Sequence, residues 1–450
     1  MFKESIFPNN QKKFTWSYLP MPILSKNGAL EGEFIKSSSK TYKMKKFILI
    51  QNILGCYTKK GPIKWINYEN CFIEINKDKM LGEGIAISKG DTLILYGEIE
   101  IWFNYMKRWC IQQGFTNTYK ILEKIGKGNQ AEVFSCRYQL GDEKFAVKQY
   151  CKHKLTNRQD KIALLKEISI LRQVQHENII HLYEVFENED SIYVVMELLE
   201  GGDLKDYLKQ PTTFLNEKQL ASFIYRLFKA ILSFHKIGII HRDLKPKNII
   251  LRKSNLSQFC VVDFGLADYY NKDGKYLFQR CGTPGFVAPE ILRDEFYDFK
   301  VDVFSVGVIM YIIITGEEPF GGDYNETITK NYLGQVNVDN IKISEQGQLF
   351  LKSLFEAKEL RPTVKEAMNH QWFKQEKIVT EKYRIRIKEP QSKQAQLFLP
   401  SARDTISHSQ LLKPTRAVSS TKHSNYRLSP IPSKKPTPNP SPCTKRKSLK

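Results

Sequence analysis

Eight residues, His241-Arg242-Asp243-Leu244-Lys245-Pro246-Lys247-Asn248, constrain this chain more than any other segment. They set an acid, a lysine and an amide within six positions, and Asp263-Phe264-Gly265 begins 15 residues after Asn248. A carboxylate can accept a hydroxyl proton, while an Asn and an Asp offer hard oxygen ligands to a divalent cation. Transfer of a phosphoryl group from a nucleotide needs that set, because the reaction depends on positioning and charge neutralisation. The run therefore limits both the chemistry and the fold.

Upstream, Gly126-Lys127-Gly128-Asn129-Gln130-Ala131-Glu132-Val133 lies between two strand-like runs. Glycines let backbone N–H groups approach a polyphosphate without Cβ interference. Taken alone, the segment reads equally as a tight hairpin. Phe145-Ala146-Val147-Lys148 follows, with Lys148 placed 22 residues past Gly126. Nineteen residues later, Glu167 sits in the helical run Leu164-Leu165-Lys166-Glu167-Ile168-Ser169-Ile170-Leu171.

In this order the segments resemble the catalytic domain of eukaryotic protein kinases. The resemblance covers residues 119–373 and implies an α+β, bilobal fold with a small β-rich N-lobe and a large helical C-lobe. It implies ATP and Mg²⁺ as cofactors. Ile125, Gly126, Gly128, Val133 and Ala146 would line the nucleotide. Lys148 would bind its phosphates, with Glu167 as ion-pair partner. Met196, Glu197 and Leu199 would border adenine, and Asp203 would reach the ribose or a basic substrate residue. Asp243 would accept the hydroxyl proton, Lys245 would stabilise the transferred charge, and Asn248 and Asp263 would hold the metal. Thr283 would line the acceptor site. Glu290 would pair with Arg361, and Asp302 would tie the helix Val301–Ile314 to the catalytic loop.

Lys245 and the segment Cys281–Glu290 resemble Ser/Thr rather than Tyr kinases. Gly282-Thr283-Pro284-Gly285 and His370-Gln371-Trp372-Phe373 resemble the calcium/calmodulin-dependent group. The rival reading is a nucleotide-binding scaffold at membranes that does not turn over, but every catalytic position carries the working residue.

Two departures from the family pattern carry information, beside a minor one at a permissive position. Ala131 replaces the third loop glycine. Lys247 stands where many Ser/Thr kinases have an acid that selects arginine near the acceptor. Like charge predicts weak selection two residues before the acceptor, with Asp203 and Glu200 leaving a preference at three before. Finally, no Ser or Thr occurs from Asp268 to Cys281, where the hydroxyls are Tyr269, Tyr270 and Tyr276. Arg242 stands where kinases commonly bind a loop phosphate. The expectation is activity without Ser/Thr phosphorylation of this loop, with Gln279 or another local group ordering it.

A chain of 450 residues is too long for one core. Its formal charge of +21 would suit nucleic acid or membrane. The distribution narrows this. Residues 1–118 carry 17 Lys+Arg against 10 Asp+Glu, residues 119–373 carry 34 of each, and residues 374–450 carry 18 against 4. The catalytic segment is neutral, so no specific nucleic-acid partner is expected. The eight cysteines contain no C-x-x-C pair and fit a reducing compartment. No signal-peptide core is visible, and the apolar run Val306–Ile314 is about half the length of a bilayer span. The expected location is cytoplasmic, with possible membrane recruitment.

Residues 1–28 read as an irregular extension. Residues 29–114 alternate short strand-like runs with turns, as in Gly32–Ile35, Lys46–Ile50, Cys71–Ile75 and Thr92–Tyr96. They end in a helical pattern over Glu98–Trp109, with Ile99, Trp102, Met106 and Trp109 on one face. This order, with Gly32-x-Phe34-x-Lys36 and Lys43-x-Lys45-Lys46-Phe47, resembles a pleckstrin-homology domain, a small β-barrel or sandwich capped by one helix. The resemblance implies inositol-phosphate contacts at Lys36, Lys43 and Lys45, with Lys40 nearby; solvated lysines on a protein-binding module are the alternative. Residues 374–450 are basic and rich in Ser, Thr and Pro, and read as mostly disordered. Ser429-Pro430, Thr437-Pro438 and Ser441-Pro442 are candidate phosphosites. Lys445-Arg446-Lys447-Ser448 suits nuclear import or an anionic membrane. Tyr383–Lys388 alternates as a strand does, which argues against calmodulin as a partner. Protein Ser/Thr acceptors and anionic lipids are the expected partners.

Overall fold

A computed structural model describes residues 5–7, 14, 16–17, 29–38, 41–58, 61–128, 131–210, 214–253, 255–339, 341–374 and 382–384. The first body is an antiparallel meander of β1 (Leu30–Ser38), β2 (Thr41–Ile50), β3 (Ile53–Thr58), β4 (Gly61–Asn67), β5 (Phe72–Asp78), β6 (Gly82–Ser88) and β7 (Thr92–Tyr96). Its sheet order is β4-β3-β2-β1-β7-β6-β5. β1 pairs with β2 along its length and with β7 through Ile35–Ser37, so one strand serves both halves. Period-two alternation sends Phe34, Phe47, Leu49, Leu54, Ile73, Ile85 and Leu95 into one core. Helix α1 (Glu100–Met106) closes it, with Trp102 edge-on to Phe34 at 4.7 Å between ring centres.

The four strand segments read from the sequence fall in β1, β2, β5 and β7. β3, β4 and β6 escaped notice because Gly55, Lys64 and Gly82-Glu83-Gly84 interrupt the alternation. The helix is shorter than its apolar spacing suggested. After Met106 the chain tightens, and the N–H groups of Trp109 and Cys110 both donate to the Met106 carbonyl. Ile99, Trp102, Met106 and Trp109 are nevertheless all buried.

A short α2 (Phe115–Thr118) leads into the small lobe. Its strands are β8 (Tyr119–Lys127), β9 (Ala131–Tyr138), β10 (Lys144–Cys151), β11 (Leu182–Glu187) and β12 (Ser191–Glu197), in the order β11-β12-β10-β9-β8. Helix α3 (Arg158–Gln173) lies between β10 and β11 in sequence, N-capped by Asn157. The large lobe runs through α4 (Leu204–Lys209), β13 (Phe214–Asn216), α5 (Glu217–His235), β14 (Ile239–Ile240), β15 (Ile249–Leu251), β16 (Phe259–Val261) and β17 (Asp268–Tyr269). It continues with α6 (Pro289–Leu292), α7 (Lys300–Thr315), α8 (Tyr324–Leu333), α9 (Glu345–Leu354), α10 (Val364–Ala367) and β18 (Lys382–Arg384).

Helix α5 starts at a capping box in which Asn216 and Gln219 satisfy each other's backbone N–H groups. Helix α7 is buried nearly all round, so its apolar run is a core helix. Among the described residues no helix is long and apolar enough to cross a membrane. Trp372 closes the lobe, fully buried and donating to Glu217 at 2.7 Å. Of the strand reading over Tyr383–Lys388, Tyr383 and Arg384 are described, within β18, which pairs antiparallel with β13. The remaining readings of the tail, together with Lys40, Asn129 and Gln130, lie outside the described residues. The seven described cysteines are free thiols, six of them buried.

Candidate active site

The catalytic loop hangs between β14 and β15 and is held from below by α7. Asp302, fully buried, accepts the backbone N–H groups of His241 and Arg242, each at 2.9 Å, and contacts the His235 ring at 2.8 Å. Burial alone would push its carboxyl up, but His235 and His241 outweigh burial and hold it below its ordinary value. Burial likewise holds His241 below the usual histidine range. Its Nδ1 faces the Asp243 N–H at 3.3 Å, so the neutral ring carries its proton on Nε2, toward the Val262 carbonyl. Arg242 adopts φ +66° and Asp263 φ +60°, conformations that non-glycine residues keep only where the surroundings enforce them.

Asp243 sits in this frame at 2 % exposure. Its Oδ1 accepts from the Thr283 hydroxyl at 2.6 Å, and its Oδ2 accepts from Lys245 at 2.8 Å and from Asn248 at 2.9 Å. Lys245 also donates to Thr283 at 2.6 Å. Gly282 makes this approach possible. A Cβ there would meet Val287 at 2.2 Å and the Arg242 carbonyl at 2.7 Å. Acid, lysine, amide and threonine thus form one hydrogen-bonded cluster, although Thr283 lies 40 residues from Asp243.

Lys148 faces the cluster from the small lobe. Register places it between Val133 of β9 and Val194 of β12. Its ammonium bonds Glu167 at 2.6 Å and lies 3.5 Å from Asp263. Burial opposes its charge, but Glu167, with Tyr150 and Asp263, outweighs burial and holds the pKa well above the ordinary value. Glu167 is 3 % exposed and also accepts from the Tyr150 hydroxyl at 2.9 Å. Phe264 is buried against the His241 ring, 4.8 Å between centres, which fixes the Asp263 backbone beside Lys148.

These residues fit a metal-bound nucleotide. Asn248 spends its amide N–H₂ on Asp243, which turns its amide oxygen away as an acceptor. Asp263 is half-buried and adds a carboxylate. Among the described residues no group of three or more His, Cys, Asp or Glu side chains forms a metal cage. Two oxygen donors are what Mg²⁺ takes from a protein when phosphates supply the rest.

The other nucleotide-site candidates lie on the small-lobe strands and the segment after them. Ile125 is exposed on β8, Gly128 donates its N–H to the Ala131 carbonyl at 2.8 Å, and Val133 and Ala146 lie on β9 and β10. A Cβ on Gly126 would stand 3.4 Å from Val133. Met196 pairs with Ala146 across the sheet. The Glu197 side chain is taken by Arg252 at 2.5 Å, and its N–H goes to the His181 carbonyl. Leu199 follows β12, half-buried. Asp203 caps α4 by accepting the Asp206 N–H at 2.8 Å. Burial pushes its carboxyl up, and the Asp206 N–H, then the charge of exposed Lys247, partly offset this. Lys247 therefore neighbours the very acid expected to attract a basic substrate residue.

The activation segment shows a group that the sequence did not single out. Arg242 bonds the Phe278 carbonyl and the Tyr297 hydroxyl, each at 2.9 Å, and reaches Asp268 at 3.3 Å. Asp268 also takes Lys166 of α3 at 2.6 Å and the Leu277 N–H at 3.1 Å. One carboxylate joins the catalytic loop, α3 and the segment itself. Tyr276 stacks on Tyr297 and under the Arg242 guanidinium. Gln279 adds a 3.4 Å side-chain contact to the Tyr276 N–H, and its carbonyl accepts from the Tyr297 hydroxyl at 3.3 Å. The acidic residue after Gly265-Leu266-Ala267, set against Arg242, was the available signal.

In the N-terminal module, Lys36 pairs directly with Lys43 and Phe34 with Lys45. Alternation puts all three lysines on the side that carries Phe34 and Phe47. Lys64 joins them, since Lys36 and Lys64 both lie over the Trp16 ring, at 5.0 and 4.6 Å. Burial and then Lys64 hold Lys36 below the ordinary lysine value. Lys64 and Trp16 had no sequence signal, being 28 and 20 residues from Lys36.

A two-lobed body with this cluster facing a strand lysine is equipped for nucleotide-dependent phosphoryl transfer. Residues 119–373, more than half of the chain, match the model of the protein kinase domain, and the chain belongs to that family. It is 33 % identical over 312 residues to "Probable serine/threonine-protein kinase fhkC" of Dictyostelium discoideum, covering 67 % of this chain and 52 % of that protein. It is 33 % identical over 275 residues to "Myosin light chain kinase family member 4" of Homo sapiens, covering 59 % and 70 %. It is 33 % identical over 267 residues to "Calcium-dependent protein kinase 4" of Plasmodium falciparum, covering 58 % and 50 %. The chain spans about half the length of the Dictyostelium and Plasmodium relatives.

Proposed function

We propose that this chain is an ATP- and Mg²⁺-dependent Ser/Thr protein kinase, similar to the calcium/calmodulin-dependent group, brought to anionic membranes by its N-terminal module. The observation that carries the reading is the convergence of Thr283, Lys245 and Asn248 on Asp243. In this reading Asp243 orients the acceptor hydroxyl and takes its proton. Lys245 neutralises charge on the moving group, and Lys148, fixed by Glu167, orients the phosphates. Bound Mg²⁺, held by Asn248 and Asp263, supplies further charge neutralisation. Half-buried Asp203 and exposed Glu200 are the acids for a basic substrate side chain, and exposed Lys247 opposes such a side chain by like charge. The full chain with γ-labelled ATP and a generic basic protein tests this. Phosphoserine and phosphothreonine are expected after hydrolysis. Phosphotyrosine alone, or no incorporation, overturns it.

The same reading holds that Asp268 does the ordering that a loop phosphate does elsewhere. Treating the purified chain with a phosphatase should leave its activity unchanged. Asp268→Ala should cut kcat by roughly tenfold or more, since Arg242 and Lys166 lose their shared carboxylate. An active phosphatase-treated wild type and an unimpaired variant together would show that Asp268 is dispensable.

Membrane recruitment is supported by the shared face of Lys36, Lys43, Lys45 and Lys64. A lysine near an anionic leaflet contributes about 1 kcal/mol. Flotation with phosphoinositide-containing vesicles should drop on the combined Lys36→Ala, Lys43→Ala and Lys45→Ala change. Equal flotation would sink the lipid reading and favour a protein-binding module.

A further inference from the structure

The N-terminal module and the small lobe are stitched by two consecutive residues and lie in one compact unit. Ile111 donates its N–H to the Cys71 carbonyl at 2.8 Å and accepts from the Ile73 N–H at 2.9 Å, continuing the edge of β5. Gln112 donates to the Val185 carbonyl and accepts from the Glu187 N–H, both at 2.9 Å, continuing the edge of β11. This seam brings the turn between β4 and β5 against the C-terminal end of α3.

Arg172 of α3 fills the junction with no exposed surface. Its Nη1 donates to Asn70 Oδ1 at 2.5 Å, its Nε to the Arg108 carbonyl at 2.7 Å, and its Nη2 to the Cys110 carbonyl at 2.9 Å. The Glu69 carboxylate lies 3.8 Å from Nη1 and accepts from Ser169 of the same helix at 3.1 Å. In return, Arg108 donates to the Leu171 and Val174 carbonyls at 3.2 and 3.3 Å, at the open end of α3. A cation there also interacts favourably with the negative end of the helix dipole. Asn70 takes φ +60°, a conformation that asparagine tolerates better than most residues. A buried guanidinium whose fork is spent on three fixed acceptors cannot turn without losing them.

Another side of the same helix carries the glutamate that pairs with Lys148. Glu167 precedes Arg172 by five residues, about 140° around a helix of 3.6 residues per turn. Arg172 is gripped by the module, while Glu167 is gripped by Lys148 and Tyr150. Flanking them in sequence, Lys166 and Gln173 reach Asp268 and the Tyr269 hydroxyl at 2.6 and 2.5 Å.

We propose that Arg172 is a positioning residue for phosphoryl transfer, and that its socket of Glu69, Asn70, Arg108 and Cys110 makes the N-terminal module an in-chain clamp on α3. The clamp fixes the rotation of α3 that presents Glu167 to Lys148. It acts on the phosphate side of the nucleotide site and leaves the adenine side untouched. The proposal rests on the kinase reading above and adds a regulator to it: whatever loosens the module weakens the catalytic ion pair.

Calorimetry on the full chain, with Mg²⁺–ADP and with adenosine as probes, separates this role from a merely structural one. Arg172→Gln and, on the module side, Asn70→Gly are expected to raise the Kd of Mg²⁺–ADP about tenfold, within the ~5–150-fold range of inter-site couplings. The adenosine Kd should stay unchanged. In a Glu167→Gln background neither change should weaken Mg²⁺–ADP further, because the effect passes through that residue. Equal weakening of both probes, full additivity on Glu167→Gln, or unaltered Mg²⁺–ADP binding in both variants overturns the clamp. Should Arg172→Gln fail to fold, Asn70→Gly decides, since glycine keeps the backbone conformation and leaves α3 intact. These readouts are affinities. A wild type that binds nucleotide but transfers no phosphate would therefore sink the kinase reading while the clamp is still decided.

Discussion

Asp243→Asn is expected to lower kcat by about 10²–10⁴-fold, the usual contribution of a positioned acid–base group, with little change in the KM for ATP. The substitution keeps the size of the side chain; its amide oxygen can still accept from Lys245 and Asn248, while its N–H₂ must donate to the Thr283 oxygen where the carboxylate accepted from it. It removes the group that can take the acceptor proton. Lys148, Glu167 and Asp263 are untouched, so nucleotide affinity should persist. Steady-state incorporation of labelled phosphate, with calorimetric ADP binding alongside, checks both halves. A variant within threefold of wild-type turnover would mean that Asp243 is not the base, and a parallel loss of ADP binding would mean that the site had rearranged.

Arg361→Ala is expected to cost about 3–5 kcal/mol, because it leaves a buried carboxylate without its partner. Arg361 and Glu290 are 2 % and 4 % exposed and form a double hydrogen bond of 2.6 and 3.2 Å across 71 residues. The pair ties the segment after Thr283 to the loop before α10, and Arg361 also holds the Lys300 carbonyl at 3.1 Å. For a lobe of this size the melting temperature should fall by roughly 6–20 °C, at ~2–4 °C per kcal/mol. Differential scanning calorimetry reads this directly. Combining Arg361→Met with Glu290→Gln should recover part of the loss, since no charge is then stranded. If the double change is as unstable as Arg361→Ala, lost packing rather than an orphaned charge is the cause.

The kinase lobes were legible because their chemistry is dense over short spans. His241 to Asn248 and Asp263 to Gly265 carry most of the site, and their spacing fixes which side chains can share a cleft. The strands of the module were half legible. Alternation marked β1, β2, β5 and β7, while glycines and a lysine broke it in β3, β4 and β6. Asp268 was missed for a different reason. Its role depends on Arg242, Lys166 and Leu277 arriving around one carboxylate, and the acid after Gly265-Leu266-Ala267 hinted at the first of these alone. The same holds for Lys64 and Trp16 beside Lys36.

By itself the sequence set the family, the neutral segment between basic flanks, and the candidate residues for a proton, a metal and phosphates. Those properties follow from residue type and near-neighbour spacing, which the chain carries wherever it folds. Only the tertiary structure decided what holds the catalytic residues in place. Arg172 meets Asn70 across 102 positions, and Thr283 meets Asp243 across 40. Such pairs form when burial of the surrounding cores outweighs the entropy of closing long loops, and a contact fixed by burial leaves no period in the sequence.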